Sequence, residues 1–184
     1  ISMHLAGVEN VVASSGTSLT ENQIKLIKRF TDQVTVLYDG DDAGINASLR
    51  GIDMLLEGGL NVKAVVFPPN EDPDSFARKA GKEGFRNFLE KEEKDFIHFK
   101  IDLFARDAAE DPIKKAEAIR QVVLSISKVP DPIIRSVYAK ESARLLGMEE
   151  DILLTELNRQ LLKNQQKNSP SKFKKVPEQG PLEQ

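Results

Sequence analysis

Two pairs of carboxylates stand at matching spacing: Asp39 with Asp41, and Asp72 with Asp74. In an extended chain, side chains at i and i+2 point to the same side, so each pair offers two acids together. Gly40, between the first two, allows the backbone a sharp turn. Like charges at close range raise one another's affinity for protons. A hard divalent cation relieves that repulsion, and carboxylate oxygens suit Mg²⁺ or Mn²⁺. A cation so held clamps phosphate oxygens and stabilises the charge of an in-line displacement. Plainer roles are open to the same residues. Asp72 precedes Pro73 and suits a helix N-cap, and Asp74 in the first turn complements the helix dipole. Asp42 reads as a cap or first-turn residue, and Asp39 with Asp41 could form a polar turn.

Both pairs fall where a strand is expected to end. Val34–Tyr38 and Val62–Phe67 are apolar runs halted by Asp39-Gly-Asp and by Pro68-Pro69. Asn10–Ser14 reads as a further short strand. Thr20 with Gln23 forms a capping box that opens a helix through Ile24, Ile27 and Phe30. A second helix spans about 43–57, and a third starts after Asp72-Pro73. Strands alternating with helices predict βα units and a mostly parallel sheet, a Rossmann-like α/β arrangement. Open sheets of this kind bind ligands at the carboxyl ends of their strands.

The pattern changes after Glu90. From 94 to 162 no strand signal is found, and amphipathic helices are expected at 94–108, 113–128, 132–146 and 149–163, a small all-α subdomain. Residues 164–184 are polar and hold three of the nine prolines, which predicts a flexible linker or tail. The division expected is 1–92, 93–163 and 164–184.

With 26 basic and 29 acidic residues the net charge is −3, so nucleic-acid contact must come from a local basic patch. The candidates are Lys25, Lys28, Arg29, Arg50, Arg78, Lys79 and Lys82, although most such charges are solvated helix faces. The chain has no Cys, which excludes within it disulfides, a thiolate nucleophile and Cys-based zinc sites. No apolar run reaches the length of a membrane span, and no signal peptide is visible at Ile1. His4 and His98 are isolated. Ser14–Thr17 could meet phosphate through backbone amides but lacks the Lys of a P-loop.

Three motifs, Val11–Thr20, Leu37-Tyr-Asp-Gly-Asp-Asp-Ala-Gly44 and Asn70-Glu-Asp-Pro-Asp-Ser75, resemble in order and spacing the topoisomerase–primase (TOPRIM) domain, specifically that of DnaG-type bacterial replicative primases. The helices to about 162 resemble the C-terminal subdomain of the family's RNA polymerase domain. The resemblance implies that Asp39 and Asp41 are catalytic Mg²⁺ or Mn²⁺ ligands, joined by Asp74 and by Asp72 as a further candidate. It implies DNA-templated synthesis of RNA primers from ribonucleoside triphosphates, in the cytoplasm. A Glu-bearing strand would precede Ile1, so the chain is expected to be an N-terminally truncated fragment, inactive alone. The family's zinc site would lie in a domain absent from this chain, and so would the contact to the replicative helicase. Two other readings stay open: a TOPRIM nuclease or topoisomerase, for which Tyr38 and Tyr138 are the only tyrosines, and a non-catalytic replisome scaffold.

Overall fold

The computed structural model describes residues 2–13, 19–40, 42–108 and 111–168, with backbone alone for 42–48, 105–108 and 167–168. Asp41, the Ser14–Thr17 loop and the tail from 169 onward lie outside the described residues. The order is α1 (Ser2–Leu5), α2 (Glu21–Lys28), β1 (Gln33–Tyr38), α3 (Asp42–Glu57), β2 (Asn61–Val66), α4 (Pro73–Glu92), β3 (Lys94–Asp95), α5 (Phe96–Ala108), α6 (Pro112–Lys128), α7 (Pro132–Leu146) and α8 (Glu150–Asn168).

β1 and β2 pair in parallel, from Gln33 opposite Asn61 to Tyr38 opposite Val66. Their side chains divide by the two-residue period of a strand. Val34, Val36, Tyr38, Val62 and Ala64 enter one core with α3 and α5, while Leu37, Val65 and Phe67 enter another under α1 and α4. Both faces are therefore covered, which explains the nearly continuous apolar runs. In the smaller core Phe67 contacts Phe76, Phe85 and Phe88. α4 reaches around it by breaking at Gly81, whose φ of 67° and ψ of −178° suit glycine alone.

Three expectations need correction. Residues 10–13 form no strand: Val12 is 81% exposed, so the apolar run has no sheet face to bury. The stretch from 94 does contain a strand, since Lys94 and Asp95 pair antiparallel with Ala64 and Lys63. Two residues carry no hydrophobic period to reveal them. Finally, α8 runs five residues past 163 to Asn168, because Leu161 still packs on the core and Asn164 Nδ2 lies 3.4 Å from Ser127 Oγ.

The larger core continues from the sheet into the helices without a break, through Ile52, Leu55, Phe96, Val122, Ile126, Leu153 and Leu157. Each such side chain contributes roughly 1.5–3 kcal/mol by leaving water. A buried polar group crosses the same junction. The Lys100 ammonium on α5 hydrogen-bonds Ser125 Oγ on α6, which donates to Asp53 on α3; Lys100 and Asp53 are 3.8 Å apart. Burial pushes the Lys100 pKa down.

Candidate metal centre

Because Tyr38 pairs with Val66, β1 and β2 end side by side, and the segments leaving them are neighbours. Three backbone bonds fix that neighbourhood: Phe67 N–H to Tyr38 O at 3.0 Å, Gly40 N–H to Glu71 O at 3.2 Å and Glu71 N–H to Pro68 O at 3.0 Å. Gly40 is required by close approach, since a Cβ there would stand 2.2 Å from Pro68 O. Asn70 turns the loop at a φ of 64°, a left-handed conformation that asparagine tolerates. Asp39 is exposed beside the loop that carries Glu71 and Asp72 and the helix start that carries Asp74.

Asp72 caps α4: its Oδ1 accepts the N–H groups of Asp74 and Ser75, both at 2.7 Å, while Ser75 Oγ accepts from Asp72 N–H at 3.0 Å. Asp74 forms an ion pair with Arg78 one turn on. Glu71, which the sequence reading does not single out, receives Lys79 Nζ at 2.7 Å on one oxygen and Ser75 Oγ at 2.8 Å on the other. Its side chain is 18% exposed, against 48% for Asp74. The bonds from Lys79 and Ser75 hold the Glu71 carboxyl below its usual range. The i, i+4, i+8 spacing of Glu71, Ser75 and Lys79 is the signal by which it could have been found.

Among the described residues no three acid or histidine side chains gather closely enough to hold a metal. Asp41, the second member of the first pair, is not among them. The chemistry of the donor set nevertheless fits a hard cation: every acid at this edge offers carboxylate oxygen, and Asp39 and Asp74 face solvent.

The basic candidates separate. Arg78 and Lys79 lie among the acids, whereas Lys28 lies at the opposite, amino end of the strands, 2.6 Å from both Asp32 and Gly59 O. A cleft of about 370 Å³ at that end, lined by Lys28, Asp32, Asn61, Pro130 and Asp131, is remote from the acidic edge. Lys25 pairs with Glu21 at 3.8 Å; Arg29 and Arg50 are exposed, and the stem of Lys82 packs over Gly7. Tyr38 is buried in β1, and Tyr138 donates to Asp95 Oδ2 at 3.1 Å. Burial pushes both phenol pKa values up. His98, expected to be isolated, faces Glu141 at 3.4 Å, a contact made by α5 crossing α7. No helix among the described residues is long and apolar enough to cross a membrane.

Residues 1–77 match the family described as Toprim-like, and residues 97–151 match the DnaB-helicase binding domain of primase. The second match runs from α5 through α7 to the first two residues of α8, inside the chain, whereas the sequence places the helicase contact in a domain beyond it. The DNA primase of Clostridium acetobutylicum is 37% identical over 166 residues. That alignment covers 86% of this chain and 27% of the relative, so the chain spans about a quarter of that protein's length. The Aquifex aeolicus primase structure, of zinc-binding and RNA polymerase domains, matches with a TM-score of 0.66 and 35% identity over 82% of this chain and 35% of the other. A DnaG primase catalytic domain bound to single-stranded DNA matches with a TM-score of 0.69 and 29% identity, over 82% and 49%. With its Toprim-like part and the helical segment behind it both matched in order, the chain belongs to the DnaG-type DNA primase family.

Proposed function

We propose that this chain carries the metal-binding edge of a primase polymerisation centre, and that the whole protein synthesises RNA primers on single-stranded DNA from ribonucleoside triphosphates. The observation that carries the reading is the hydrogen bond from Gly40 to the Glu71 carbonyl, 3.2 Å long, which joins the two acidic motifs at the carboxyl edge of the sheet. Asp39, Asp41 and Asp74 would hold Mg²⁺ or Mn²⁺, with Asp72 already committed through one oxygen to the helix cap. When bound, the metal supplies Lewis-acid stabilisation of phosphate oxygens during attack of a 3′-hydroxyl on an α-phosphate, with pyrophosphate leaving. Arg78 and Lys79, on the first turns of α4, are the cations best placed to receive phosphate charge. The single-stranded DNA in the related catalytic domain supports a DNA template, and the match over 97–151 supports contact with a replicative helicase through α5–α7.

Mn²⁺ added to the isotope-labelled chain should broaden the amide resonances of Gly40 and Asp74 first. Asp39→Asn should remove that broadening, and in the full-length protein it should lower primer synthesis at least about a hundredfold. Broadening elsewhere, with Gly40 and Asp74 unaffected, would overturn the assignment.

A further inference from the structure

Glu71 is the most enclosed of the three acids at 71–74, and its carboxylate has no role in the reading above. Its three connections run to three different parts of the edge. Its backbone carbonyl receives Gly40 N–H from the turn after β1, at 3.2 Å. One carboxylate oxygen receives Ser75 Oγ at 2.8 Å, and Ser75 Oγ itself accepts from Asp72 N–H at 3.0 Å. The other oxygen receives Lys79 Nζ at 2.7 Å, two turns along α4. Both oxygens are thus occupied by donors within the loop and α4 itself. Lys79 also cancels the charge that Glu71 would otherwise add to an edge already rich in acids.

We propose that Glu71 is a positioning residue: it locks the start of α4 against the Gly40 turn, so that Asp74 is held at a fixed place beside Asp39 for the divalent cation. It acts through Ser75 and Lys79 and does not ligate the metal. This rests on the metal assignment above. Residues that orient ligands in this way commonly alter metal affinity about 10–100-fold.

The test compares Glu71→Ala and Glu71→Gln with the unaltered chain. Glutamine keeps an acceptor for Lys79 and a polar partner for Ser75, whereas alanine keeps neither. Mn²⁺ titration read at the Gly40 and Asp74 amides should give an affinity about tenfold weaker in Glu71→Ala and within about twofold of the original in Glu71→Gln. A second reading needs no metal: hydrogen exchange at Gly40 N–H should quicken in Glu71→Ala and stay unchanged in Glu71→Gln. Affinity and exchange both unaltered by alanine would overturn the proposal. Equal loss of affinity in the two variants would also overturn it, by making Glu71 a ligand. An unaltered chain that shows no Mn²⁺ effect at Gly40 or Asp74 overturns the metal assignment itself and this inference with it, so the two failures are distinct.

Discussion

α4 begins as α6 and α7 begin, with an Asp N-cap and a Pro at the first helical position, and the resemblance ends there. Asp111 Oδ1 accepts from Ile113 N–H at 2.8 Å and Asp131 Oδ1 from Ile133 N–H at 2.7 Å, the bonds that Asp72 makes to its own helix. The first turns of α6 and α7 contain no acid, and Ile113 and Ile133 stand 80% and 74% exposed. The first turn of α4 carries Asp74, is preceded by Glu71, and abuts the turn that ends β1. One capping device thus serves two purposes. In the bundle it only starts a helix; at the sheet edge it also holds the backbone N–H of a second acid, Asp74.

The largest expected effect comes from Gly40→Ala. The added Cβ meets Pro68 O at 2.2 Å, so the turn must move, at a cost of roughly 1–3 kcal/mol in stability. Urea denaturation should show that loss, and the Mn²⁺ broadening at Asp74 should vanish with it.

Next come the three caps. Asp72→Ala, Asp111→Ala and Asp131→Ala should each lower stability by about 1 kcal/mol. Only Asp72→Ala should also weaken Mn²⁺ uptake; equal weakening by the two bundle variants would break the comparison between the regions. Asp74→Asn should separate the two purposes most cleanly. Its ion pair with Arg78 is exposed and worth within about 0.5 kcal/mol, so the thermal midpoint should hardly move while Mn²⁺ uptake falls.

The smallest effect is a pair of opposed pH slopes. Lys79 and Ser75 lower the Glu71 pKa from its ordinary 4.5, so its contribution is present above that value and is lost as pH falls through the folded pKa. Burial raises the Asp95 pKa from 3.8, so its ionised form opposes folding, and acidification through the folded pKa relieves that cost. Between pH 7 and 3, Glu71→Gln should flatten the fall in thermal midpoint, and Asp95→Asn should steepen it.

Much of this was legible in the residues. β1, β2 and the helix spans follow from apolar period and from Asp-Pro and Thr-x-x-Gln starts, which are local. The Val11–Val12 run misled because an apolar pair predicts burial only if a partner covers it, and Val12 remains exposed. β3 was invisible because two residues have no period. Glu71 was missed because its carboxylate meets Ser75 and Lys79 only once the loop before α4 curls back over the helix, and its carbonyl meets Gly40 only across the sheet edge.

By itself, the sequence determined the types of the longer elements, the two acidic motifs and the kind of cation their oxygens would prefer, because capping, strand period and ligand hardness are properties of residues and near neighbours. Tertiary structure alone decided which charges share a place. The parallel register that sets Tyr38 beside Val66 brings Gly40 to Glu71 and leaves Lys28 at the far end of the strands. It also decided that Lys100 and Asp53, 47 positions apart, meet inside the core at 3.8 Å. Charges interact through space and lose their hydration only when packing removes water, and neither distance nor burial is written in spacing along the chain.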